Sequence, residues 1–89
     1  MPAISSFYGI IIYMYFFDEE RHSKPHIHAR YSDQEAVIEI PTGVLLAGEL
    51  KSNKLKLVEA WIEIHKDELM ANWEMASKGF PIKDIEPLK

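Results

Sequence analysis

The chain has 89 residues, which suits one small domain, and 47% of them are hydrophobic, enough to form a core. It contains no cysteine, which excludes a disulfide framework and thiolate metal sites and leaves His, Asp and Glu as possible metal ligands. The formal net charge of −4 disfavours duplex DNA as a partner, because neutralising phosphates requires clustered cations.

The most apolar segment, residues 10–17, is too short to cross a lipid bilayer. It also lacks the preceding basic region and the small-residue cleavage site of a signal peptide. We therefore expect a cytoplasmic protein with no membrane partner.

The N-terminal half predicts β-structure. Residues 7–17 are rich in β-branched and aromatic side chains and predict a central strand that is buried on both faces. Residues 26–31 and 35–40 alternate between polar and apolar side chains, which predicts a hairpin. Residues 44–50 predict a short fourth strand in which Gly48 marks a bulge or bend.

The C-terminal half predicts one long helix at about residues 53–78, because apolar residues recur every three or four positions without Pro or Gly. Ser52 suits an N-cap, and Gly79 with Pro81 suits the end. The apolar stripe is wider than one small sheet needs, which predicts a dimer or heterodimer surface along the helix. The residues that widen the stripe are Leu57, Trp61 and Ile64.

The order of these elements predicts a single α+β domain over residues 1–89. Its strand-rich part, residues 1–50, is expected to form a three- to four-stranded antiparallel sheet packed against the one long C-terminal helix. The tail, residues 79–89, is expected to pack back as an irregular segment.

The sequence Pro25-His26-Ile27-His28 contains the strongest candidates for a functional site. In a strand, His26 and His28 point to the same face about 7 Å apart, and two imidazoles can bind a metal or share acid and base roles. Alternatively, both rings are only cross-strand hydrogen-bonding partners. Further metal ligands can come from the preceding loop or the next strand: Asp18, Glu20, His22, Glu35 and Glu39.

Two more polar side chains can join this pair. Strand alternation places Arg30 on the same face, where it can stabilise phosphate charge or pair with a carboxylate of the next strand. His65 follows Trp61 by one helical turn and is either a hydrogen-bonded core residue or the third member of a three-histidine cluster. Aromatic residues interleaved with cations can stack RNA bases, although a core or interface role is the alternative.

Three groups of residues carry a resemblance to a known family. They are Pro25-His26-Ile27-His28-Ala29, then Gly48-Glu49-Leu50, and the helical series Trp61, His65, Glu68-Leu69 and Asn72-Trp73. Together they resemble a small bacterial family, domain of unknown function 4160, whose members typically carry Pro-His-Phe-His-Ala. The resemblance covers nearly the whole chain and points to His26 and His28 as the motif residues.

The resemblance also implies a genetic context. Members are often encoded next to a second short uncharacterised protein, an arrangement that resembles type II toxin–antitoxin pairs. This chain differs from the family pattern in having Ile27 in place of Phe, a longer acidic loop at 18–24, and Lys51-Ser52-Asn53 where a Pro and an Arg are common.

These observations give three hypotheses. The first is a component of a bacterial type II toxin–antitoxin-like module that binds an adjacent-gene product or a second copy of itself. The second is a small ribonuclease-like enzyme in which His26 and His28 form the acid–base pair and Arg30 contacts the phosphate. The third is a module that holds a divalent metal through His26, His28 and His65.

Overall fold

The computed structural model describes residues 3–15 and 24–89. These residues form five strands and one helix: β1 Ala3–Phe7, β2 Ile10–Tyr13, β3 His26–Tyr31, β4 Gln34–Glu39, β5 Leu45–Gly48 and α1 Ser52–Ser77. The strands pair antiparallel in the order β1-β2-β3-β4-β5. The predicted α+β class is confirmed, but the predicted number of three to four strands is wrong.

The additional strand arises because a tight turn divides the N-terminal apolar region. Tyr8 and Gly9 both have positive φ, 52° and 81°, and Phe7 pairs with Ile10 across them. Two consecutive positive φ angles are typical of the two-residue turn that matches the twist of a hairpin. The strand predicted for residues 7–17 is therefore β2, which is second in the sheet and has Ile11 37% exposed. Residues 16 and 17 of that prediction lie outside the described residues.

The predicted hairpin corresponds to β3 and β4, and β3 is the central strand. In β5, Ala47 pairs with Val37 and Leu45 with Ile38, so Leu46 is the bulged residue. Gly48 has a φ of 75°, and a Cβ there would collide with the carbonyl oxygen of Glu35. Glycine is needed at this position because β5 crosses β4 so closely.

The core lies between one face of the sheet and the helix. Trp61 is fully buried and its ring centroid lies 5.4 Å from that of Phe7, which joins α1 to β1. The sheet contributes Ile4, Ile10, Ile12, Ile27, Ala29, Ala36, Ile38 and Ile40, and the helix contributes Val58, Ile62 and Leu69.

The helix agrees closely with the predicted residues 53–78, but it is not straight. Its N-cap position is Lys51 rather than Ser52, and no side chain caps it. It bends at His65, whose φ of −112° and ψ of 21° are not helical. At its end, Phe80 N–H donates to Met75 and Gly79 N–H donates to Ala76, the bonding pattern of a Schellman cap.

The tail packs back along the first strand. The Asn72 side chain donates to the carbonyl of Lys83 at 2.7 Å and accepts from the N–H of the same residue at 3.1 Å. Ile85 is buried, and its N–H donates to the carbonyl of Ile4 at 2.8 Å. The Trp61 indole also donates to the carbonyl of Glu86. One of these bonds joins the tail to β1 at Ile4, and the other three join it to α1.

Candidate functional site

Strand β3 carries the three residues predicted for a catalytic site. His26, His28 and Arg30 share the face opposite to that of the core residues Ile27 and Ala29. His26 is fully buried, His28 is partly buried and Arg30 is exposed. The three side chains therefore run from the interior to the surface along the central strand.

Hydrogen bonds fix the orientation of both histidine rings. His26 Nδ1 donates to the backbone carbonyl of Lys24 at 2.7 Å, and His28 Nδ1 donates to the Glu35 carboxylate at 2.9 Å. A neutral imidazole has one N–H, so these bonds make Nε2 the nitrogen that carries the lone pair in each neutral ring.

Aromatic side chains surround the pair. The His26 and His28 ring centroids lie 5.4 Å apart, and the Tyr15 ring meets His28 edge-on at 4.6 Å. Trp73 reaches the pair from the C-terminal half of α1, with its ring 5.1 Å from that of His26. Tyr13 stacks on Tyr15 at 5.8 Å. The site is a continuous row of rings that joins β2, β3 and the helix.

Arg30 lies directly opposite Glu35 in the register of β3 and β4, yet that carboxylate bonds to His28 instead. Among residues 3–15 and 24–89, no carboxylate lies within ion-pair distance of Arg30. The other carboxylate predicted as its partner, Glu39, lies 3.8 Å from the Lys24 ammonium group. Arg30 is therefore an exposed cation next to the paired histidines.

His65 belongs to a different part of the molecule. Its Nδ1 donates to the Glu68 carboxylate at 2.7 Å, and its ring lies 5.7 Å from that of Trp61. It also borders a cleft lined by the tail residues 86–89. No three His, Cys, Asp or Glu side chains of the described ranges are grouped closely enough to hold a metal, so His65 does not form one cluster with His26 and His28.

The loop ligands suggested by the sequence, Asp18, Glu20 and His22, lie outside the described residues. Sequence reasoning named Glu35 as a possible partner of the histidines, and it is bonded to His28. It did not predict that Trp73 would contact His26. No local pattern indicates that contact, because the two residues are far apart in the sequence.

The fold and the site define a small α+β domain whose central strand carries an oriented pair of histidines. The model of the family described as Domain of unknown function (DUF4160) matches residues 9–74, more than half of the chain, and the chain belongs to this family. The resemblance noted in the sequence is thus confirmed. Comparison with the curated proteins and with the solved structures gave no match.

Within the ranges that the structure describes, no helix is both long and apolar enough to cross a membrane.

Proposed function

We propose that this domain binds a protein partner through one edge of its sheet, as a component of a bacterial two-gene module of the toxin–antitoxin type. The observation that carries the proposal is the difference between the two edges of the sheet. The genetic context comes from the family resemblance alone.

At the first edge, the chain covers its own strand. The tail is bonded to β1 by the Ile85 N–H, which donates to the carbonyl of Ile4, and Asn72 of α1 holds the tail backbone through two hydrogen bonds. Covering an edge in this way prevents the unpaired backbone groups from pairing with other chains. The β1 edge is therefore a poor binding surface.

The second edge is different. Strand β5 ends the sheet, and in the part of the chain that the structure describes no segment pairs with its outer side. Val44 is 52% exposed and Leu45 is 42% exposed, and no charged residue occurs between Thr42 and Gly48. β5 is short and bulged at Leu46, which weakens an edge for pairing, but no charge, proline or described segment covers Val44 to Gly48. We therefore take this uncharged apolar edge as the place where a strand is added.

The helix offers less surface than its sequence suggested. Trp61 is fully buried and Leu57 packs against the core, which leaves Ile64, at 64% exposed, as the accessible residue of the predicted helix interface. The exposed side chains of Met75 and Phe80 belong to the two residues that are hydrogen-bonded in the C-terminal cap of the helix, away from Ile64 in the sequence. We therefore place the partner surface at β5.

The proposal is tested by co-expressing the domain with the product of the adjacent gene and isolating the complex by affinity and size-exclusion chromatography. Leu45→Lys places a charge on the apolar edge and is expected to release the partner. Ile64→Lys, the same change on the exposed helix face, is the matched control and is expected to retain it. Retention of the partner by both variants would refute the β5 surface.

A second candidate function rests on the fixed orientation of His26 and His28 next to the exposed Arg30. In phosphodiester cleavage of RNA, one imidazole accepts the proton of the attacking 2′-hydroxyl and the other donates a proton to the leaving oxygen, while a cation stabilises the phosphate. His28 and Arg30 present an imidazole and a cation on one strand, whereas the ring of His26 is fully buried and would have to become accessible to take part.

This candidate is tested with a fluorescent RNA oligonucleotide. His26→Ala and His28→Ala are expected to abolish cleavage, whereas His65→Ala, which removes a histidine from another part of the fold, is expected to leave cleavage unchanged. Equal activity of all three variants and the parent would exclude the candidate.

A further inference from the structure

We infer that the strand added to β5 belongs to a basic partner: an extended apolar segment flanked by Lys or Arg, and not a second copy of this chain. The inference rests on the proposed function, because it specifies the partner of the same edge. It is carried by the distribution of charge around β5.

Carboxylates lie near both ends of the apolar edge. Glu49 is exposed and directly follows Gly48, the last residue of β5. At the other end, the Glu59 side chain of α1 approaches Gly43, with its Cγ 3.8 Å from where a Cβ of that glycine would lie. Among the described residues, neither carboxylate is in an ion pair. Lys51, the nearest cation along the chain, is exposed at the N-cap position of the helix.

A second copy fits this distribution poorly. If two β5 strands paired antiparallel with Leu45 opposite Leu46, Glu49 of one copy would lie opposite Thr42 of the other. That position is next to Gly43, against which Glu59 packs. Pairing of two copies would therefore bring Glu49 of each copy near Glu59 of the other, and this repulsion between carboxylates works against self-association.

A basic segment would be attracted by the same carboxylates that repel a second copy. Its backbone would extend the sheet, its apolar side chains would cover Val44 and Leu45, and cations at its ends would face Glu49 and Glu59. The backbone bonds and apolar contacts would supply affinity. The charges would select the partner and speed its encounter with the domain, which carries a net charge of −4.

The test uses two synthetic peptides with one core, KKVTVTVKK and EEVTVTVEE, titrated into ¹⁵N-labelled domain and followed by the amide signals of β5. The lysine-flanked peptide is expected to bind about tenfold more tightly at low salt, and the difference is expected to shrink at high salt. Leu45→Lys is expected to lose binding of both peptides.

Charge variants identify the residues responsible. The double variant Glu49→Lys/Glu59→Lys is expected to reverse the preference, while Asp67→Lys/Glu74→Lys, with the same net charge, is expected to keep it. If the first variant does not fold, Glu49→Gln/Glu59→Gln is used instead and is expected to abolish the preference.

Equal affinity for the two peptides, or no binding of either, would overturn the inference. A concentration-dependent dimer of the parent that Leu45→Lys abolishes would overturn it in favour of a second copy. Failure of the inference is distinguishable from failure of the proposed function. If the peptides bind alike while Leu45→Lys still releases the co-expressed partner, only the charge preference fails, whereas a partner retained by Leu45→Lys refutes the proposed function itself.

Discussion

Replacing Gly48 with alanine tests whether the close contact between β5 and β4 holds the sheet together. Gly48 and Gly79 have nearly the same φ, 75° and 79°, so alanine at either position incurs the left-handed backbone cost of about 1 kcal/mol. Nothing lies within 4 Å of a Cβ at Gly79, whereas a Cβ at Gly48 collides with the backbone carbonyl of Glu35. The collision forces the two strands apart, and overpacking of this kind adds roughly 2 kcal/mol.

We therefore expect Gly48→Ala to lower the free energy of unfolding by about 3 kcal/mol and Gly79→Ala by about 1 kcal/mol. For a domain of this size these values correspond to falls in melting temperature of roughly 18 °C and roughly 6 °C. Urea unfolding followed by tryptophan fluorescence measures the first quantity, and thermal circular dichroism measures the second. Equal destabilisation by the two variants would refute the close approach of the strands at Gly48.

Three further predictions concern the tail. Asn72→Ala removes two part-buried hydrogen bonds to the tail and should cost about 2 kcal/mol in urea unfolding, whereas Asn53→Ala, at an exposed position of the same helix, should cost much less. Ile85→Asp places a charge at a buried position, should release the tail from β1, and should produce concentration-dependent association in light scattering; a monomer as stable as the parent would contradict this. A hydrogen bond from Lys89 lowers the pKa of Glu86, so any stabilisation from this pair is present above the ordinary carboxyl pKa and is lost as the pH falls through the lowered value. Because both groups are exposed, Lys89→Ala should leave the melting temperature at pH 7 unchanged. A clear fall in that temperature would show that the pair contributes more to stability than an exposed ion pair.

The sequence predicted those parts of the fold that have strong local periodicity. The alternation of residues 26–31 and 35–40 identified β3 and β4, and the apolar spacing of the C-terminal half located α1 within one residue at each end. The histidine pair follows from the same alternation, because residues two apart in a strand share a face. For the same reason, Glu35 was a foreseeable partner of His28.

The features that were missed depend on backbone geometry or on contacts distant in sequence. Tyr8 carries a positive φ that bulky side chains seldom adopt, so nothing but Gly9 marked the turn that separates β1 from β2. The bend at His65 is a departure of the backbone from helical geometry, and the contact of Trp73 with His26 joins segments that are far apart along the chain. Packing of the whole domain determines them, and packing is not expressed in local spacing.

The covered β1 edge limits the size of any assembly built by strand addition. A filament grows when each subunit offers two complementary surfaces that can repeat without closing. Here the tail already occupies the β1 edge through the bond between Ile85 and Ile4, and β5 remains as the other end of the sheet. If a partner strand adds to β5, as we propose, the covered β1 edge would favour a one-to-one complex over a polymer.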